Sequence, residues 1–113
     1  PPRRPEQVEA FQNNLALLRA RGIRVILIQA PWPEYNYRLY RDRDRFDEMM
    51  KSCGEYYNFV PLVELDDCRD FFDYGHMNQK GVEIFNMELI RRLFPERVPG
   101  MRSGHAEKPE LPP

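Results

Sequence analysis

No stretch of this 113-residue chain approaches the roughly 18–20 consecutive apolar residues that cross a bilayer, which excludes a transmembrane helix. Charge of one sign is missing too. The net charge is −1 and the pI about 6.2, so neither nucleic acid nor an anionic membrane surface has an electrostatic claim on it. Cysteine is scarce, and Cys53 and Cys68 have no metal-site spacing; two ordinary buried thiols are expected rather than a disulfide, which leaves the compartment open. Nothing in the sequence calls for a metal or another cofactor. Internal repeats and domain linkers are absent. So are an initiating methionine and a charged segment leading into a short apolar one, so the chain reads as a fragment or processed form.

What is present fits one short domain of 13.6 kDa. A charged share of 31% and 11 prolines set the mean hydropathy of −0.71. The prolines gather at the ends. Residues 1–5 and 99–113 are therefore expected to be flexible, and residues 6–98 to form a partial α/β domain.

Val8, Phe11, Leu15 and Leu18 recur at helical spacing between Glu6 and Arg21, with Gly22 placed as a stop. Ile23 to Ile28 is nearly continuous in apolar and β-branched residues and predicts a strand covered on both faces. An aromatic loop with Trp32, Tyr35, Tyr37 and Tyr40 follows. A second helix is expected over Arg38 to Tyr57, with Phe46, Met49, Met50 and Cys53 on one face and Arg41 to Arg45 on a solvated, mixed-charge side. Phe59 to Leu65 predicts a second strand, and Val82 to Leu93 a last amphipathic helix. Strand, helix and strand in this order imply parallel pairing. Two strands do not make a stable buried parallel sheet, which normally has about 4–6, so other polypeptide is expected to complete it.

The most informative stretch is Asp73-Tyr74-Gly75-His76, followed by Met77-Asn78-Gln79-Lys80-Gly81. An acid and a histidine three residues apart, on a turn that opens a helix, can share one edge of a domain. The carboxylate then holds one imidazole nitrogen and leaves the other to take or give a proton. Asn78 is placed to cap the helix that begins at Gln79, and Gly81 to permit close approach of another backbone. The same residues also suit a structural role, with Asp73 capping a turn and His76 half-buried in packing.

From Phe71 to Leu93 the run FFDYGHMNQKGVEIFNMELIRRL resembles the last block of the SGNH (GDSL-like) hydrolase superfamily, D-x-x-H-x-N-x-x-G and a closing helix. The upstream R-A-R-G-I-R-V-I-L-I-Q-A-P is similar to the penultimate helix–strand unit of its extracytoplasmic O-acyltransferase and esterase branches. The resemblance implies the C-terminal portion of a three-layer α/β/α flavodoxin-like fold with parallel strands. It implies His76 as catalytic base, Asp73 as its orienting acid, an acyl ester or acylated glycan as substrate, and an extracytoplasmic location. The G-D-S nucleophile segment and the glycine and asparagine blocks of the oxyanion hole are missing, so the serine is expected in upstream polypeptide or a partner chain.

Within the chain, Ser52 lies in a predicted helix, Ser103 in the tail near His105, Cys53 on a buried face and Cys68 just ahead of the motif; none suits the role of nucleophile. Trp32 and Tyr35 are candidates for contact with a substrate beyond the carboxyl end of the first strand, or members of a packed aromatic loop. Asn78 is a third candidate for substrate contact beside its capping role. Asp66 and Asp67 are a weak cation pair. Two functions remain: the Asp–His half of a serine esterase or O-acyltransferase, and a non-catalytic α/β module that binds a carbohydrate or a protein partner.

Overall fold

The computed structural model describes residues 4–98 and Gly100. The expectations for residues 1–3, 99 and 101–113, including Ser103 and His105, lie outside the described residues. The described residues form a mixed α/β structure with a two-stranded parallel sheet and four α-helices. Among the described residues no helix is long and apolar enough to cross a membrane.

Helix α1 runs Pro5–Ala20, one residue earlier at each end than the spacing predicts, because proline's fixed φ suits the first turn of a helix. Gly22 takes φ +76° after it, the left-handed stop that its position suggested. Leu15 alone is buried on this helix, while Leu17 is 60% exposed, so α1 lies against the rest by a narrow stripe.

Strand β1 is only Leu27–Gln29, and β2 is Tyr56–Asn58. They pair in parallel, Leu27 opposite Tyr56 and Gln29 opposite Asn58. The expected pairing direction is correct and both expected spans need correction. Ile23 lies 48% exposed outside the ladder, and Arg24 instead pairs with Glu55 at 2.8 Å. Phe59 to Leu65 is a loop. The Phe59 amide makes the last ladder bond to the Gln29 carbonyl at 2.9 Å. The Asn58 side chain then accepts from the Val60 amide, and Pro61 sits inside the turn closed by the Leu62 amide on the Phe59 carbonyl. A side-chain turn followed by proline takes the backbone out of the sheet. The apolar character of this loop comes from packing: Phe59 is fully buried and, with Val63, meets Leu93 and Phe85 of the last helix. Burying such a phenylalanine contributes about 1.5–3 kcal/mol.

The helix expected over Arg38 to Tyr57 is α3, Arg43–Cys53, shortened at both ends, and a separate short helix, α2, Glu34–Arg38, stands in the expected aromatic loop. Between them the Arg43 guanidinium donates to the carbonyls of Tyr40 and Arg38. Helix α3 ends at Gly54 (φ +144°). Met50 and Cys53 are buried, as the expected inner face requires, and Cys68 is exposed, which corrects the expectation of two buried thiols. Both thiols are free.

Alternation along β1 divides the core. Leu27 joins Leu15, Met50, Cys53 and Tyr56 on one face of the ribbon, against α1 and α3. Ile26 and Ile28 join Phe59, Ile84, Phe85 and Leu93 on the other, against the last helix, Gln79–Leu93, which is α4. The Tyr56 hydroxyl donates to Asp47 at 2.6 Å, and burial together with that carboxylate holds it well above the usual tyrosine range.

Candidate functional site

The segment from Asp66 to Gly81 is folded by its own polar groups. The Asp66 carboxylate accepts the amides of Cys68 (2.9 Å) and Arg69 (2.7 Å). Asp70, fully enclosed, returns a bond by accepting the Asp66 amide at 2.8 Å. Its carbonyl accepts the Asn78 amide at 3.0 Å, while the Asn78 side chain donates to the Arg69 carbonyl (2.8 Å) and accepts the Gly81 amide (3.0 Å). Asn78 thus holds α4 to the Asp66–Asp70 turn, and both ends of its amide are occupied in doing so. The sequence alone does not mark Asp70; an aspartate four residues after another, closing a turn that must meet a helix start, is the signal it carried.

Upon this base stands a small hairpin. Phe71 and Met77 form an isolated antiparallel bridge, and the Phe72 amide donates to the His76 carbonyl at 2.8 Å. At its tip the Asp73 carboxylate accepts the Gly75 amide at 2.8 Å. The same carboxylate lies 2.9 and 3.1 Å from His76 Nδ1. An ionised carboxylate only accepts, so Nδ1 carries the proton, and in the neutral ring Nε2 holds the lone pair. No described residue bonds Nε2. The ring is 77% exposed, so the half-buried packing role does not describe it.

The Gly75 amide, and next the His76 ring, hold the Asp73 carboxyl below its ordinary value of 3.8. Asp66 is lowered chiefly by the Arg69 and Cys68 amides, and Asp70 chiefly by the Asp66 amide. A carboxyl depressed in the folded state stabilises it above the unfolded value and loses that contribution as pH falls through the folded value. The hairpin is therefore expected to loosen selectively below about pH 4. Hydrogen exchange at the Gly75 and Cys68 amides reads this, and protection unchanged down to about pH 2 contradicts it.

Beyond the carboxyl ends of β1 and β2 lies a cleft of about 560 Å³, lined by residues that include Trp32, Glu34, Tyr37, Arg38, Leu62 and Asp67. Trp32 is fixed by stacking on Tyr40 (5.4 Å between centroids) and by the edge of Tyr37 (5.6 Å). Of the candidates for substrate contact, Trp32 lines this cleft, exposed Tyr35 stands outside it, and Asn78 is committed to the helix cap. Asp73 and His76 are not part of its wall.

The chain contains no threonine and two serines. Ser52 donates back to the Met49 carbonyl at 2.6 Å, as a helical serine does, and no described hydroxyl or thiol bonds His76. Asp66 and Asp67 are both occupied by backbone amides, and the described residues contain no group of three or more side chains able to hold a metal ion. Together these make an exposed acid–histidine pair on a braced hairpin, and a cleft beyond the carboxyl ends of the two strands whose wall does not include the pair. Comparison of the chain with protein-family models, with curated proteins and with solved structures finds no match.

Proposed function

We propose that this chain is the C-terminal, Asp–His half of a serine esterase or O-acyltransferase of the SGNH type. The observation that carries the reading is His76 Nδ1 within 3.1 Å of both Asp73 oxygens, on an exposed ring whose Nε2 no described residue bonds. Nε2 would take the hydroxyl proton of a serine supplied by other polypeptide as its oxygen bonds to the acyl carbon. The carbonyl pair moves to oxygen and returns, and the alcohol leaves with the proton from Nε2. Asp73 fixes the tautomer and stabilises the imidazolium. The substrate is an ester, an O-acetyl group on a glycan in the extracytoplasmic setting that the resemblance suggests. Trp32 and its cleft would receive the rest of the substrate.

A three-layer flavodoxin-like sheet completed by upstream residues or a partner chain is part of the same proposal. Its support is the shortness of the ribbon: the described residues contain only β1 and β2, and alternation turns the backbone groups of Ile28, Tyr56 and Asn58 away from each other's strand. A second reading, a non-catalytic module for a carbohydrate or a protein partner, is favoured by a cleft whose aromatic wall is built entirely from this chain. Assay separates them. The 113-residue chain alone is expected to show no turnover of p-nitrophenyl acetate above background, and a longer polypeptide with the residues upstream of Pro1 to show it. Saturable hydrolysis by the chain alone sinks the divided site; inactivity of both favours the module.

A further inference from the structure

Helix α2 donates three bonds to the segment that carries the Asp–His hairpin. The Asp67 carboxylate accepts the Glu34 amide at 2.9 Å and the Tyr35 amide at 3.2 Å, capping the start of α2 from the far segment. Asn36 Nδ2, one residue on, donates to the Tyr74 carbonyl at 2.7 Å. Tyr74 lies between Asp73 and His76, so this bond grips the hairpin at its tip, remote from the Phe71–Met77 bridge that closes its base. The base constrains where the hairpin starts. Among the described residues, the grip at Tyr74 is the hydrogen bond that reaches the tip from another element, and the tip carries the carboxylate.

We propose that Asn36 is a positioning residue for the Asp73–His76 pair, acting through the Tyr74 carbonyl. Its catalytic meaning rests on the Asp–His reading above; its geometric content does not. A five-residue helix has little rigidity of its own, so α2 serves as an anchor because Asp67 fixes its amides and because Glu34, Tyr37 and Arg38 form one wall of the cleft. Asn36 therefore links the wall of the cleft to the orientation of the base. Without its donor, the Tyr74–Gly75 peptide is held only through the Gly75 amide on the Asp73 carboxylate, so a shift of that peptide carries the carboxylate away from its fixed approach to Nδ1. The neutral ring then drifts towards the Nε2–H tautomer, in which the lone pair needed to accept a proton is on the wrong nitrogen.

Nitrogen-15 NMR of the 113-residue chain measures this tautomer ratio directly, with His105→Gln removing the other of the two imidazoles. The parent chain is expected to show mainly Nδ1–H, and Asn36→Ala a ratio of Nδ1–H to Nε2–H lowered about five-fold. Asn13→Ala on exposed α1 is expected to leave the ratio as it was. Trp32 emission and circular dichroism report whether each variant is folded. If Asn36→Ala does not fold, Asn36→Asp removes the donor at the same size and is read in the same way. An unchanged ratio in a folded Asn36 variant, or a parent chain already dominated by Nε2–H, overturns the proposal. Failure of the functional reading looks different: His76→Ala then leaves turnover of the completed polypeptide intact while the tautomer ratio still responds to Asn36.

Discussion

Replacing His76 by alanine in a completed, active polypeptide is expected to lower kcat/KM for small acyl esters by on the order of 10³-fold or more. The size follows from what is removed. General-base assistance contributes about 10²–10⁴-fold, and the same nitrogen must later protonate the departing alcohol. Asp73→Asn is expected to cost less. An asparagine side chain can still hydrogen-bond Nδ1, but it offers a donor as well as an acceptor and no charge to stabilise the imidazolium, so part of the population is held in the wrong tautomer. Steady-state kinetics of the two variants beside the parent gives the order. A folded His76→Ala with undiminished turnover removes His76 from the mechanism, and with it the esterase reading.

Gly81→Ala is the second large effect, on stability rather than rate. A Cβ at this position would lie 2.2 Å from the Asp70 carbonyl oxygen and 3.2 Å from Met77 Cβ. The nearest atom is backbone, and that carbonyl already accepts the Asn78 amide at 3.0 Å. Relief requires α4 to move away from the Asp66–Asp70 turn, which breaks the Asn78 contacts holding the two together. Overpacking of this kind costs about 1–3 kcal/mol, against roughly 1 kcal/mol that alanine gains in helix propensity. The net loss is then up to about 2 kcal/mol, which lowers the thermal midpoint of a domain this size by up to about 16 °C. A midpoint that rises in Gly81→Ala means the helix yields without strain, and the close approach is then no constraint on the site.

How much of this was legible beforehand differs from one element to the next. The Asp73–His76 contact, the Asn78 cap and the Gly81 approach were all readable, because each depends on residues within a few positions of one another and on side chains with narrow chemistry. Parallel pairing was readable from the order of elements. The strand boundaries were not. Phe59 to Leu65 has a strand's composition, yet its apolar residues serve a loop packed on α4, and only the Asn58 side-chain bond and Pro61 reveal where the ladder stops. The short α2 in the aromatic loop and the late start of α3 were hidden, since the bond of the Arg43 guanidinium to the Tyr40 carbonyl between them is a choice among many open to an arginine. Asp67 and Asn36 were illegible as a pair, since they join segments more than thirty residues apart.

The hairpin closed by Phe71 and Met77 has a kinetic consequence. Its chemistry-bearing contact spans three residues and its closing bridge six, so the chain entropy surrendered on forming it is small and almost independent of the rest of the molecule. Contacts of such low sequence separation form within microseconds, ahead of any pairing that must bring distant strands together. A polypeptide bringing a serine to this edge would then meet a hairpin already closed, with the longer-range bond from Asn36 to Tyr74 left to set the lean of its base. The slow step of assembling the site would be the docking of the sheet, with the proton acceptor waiting.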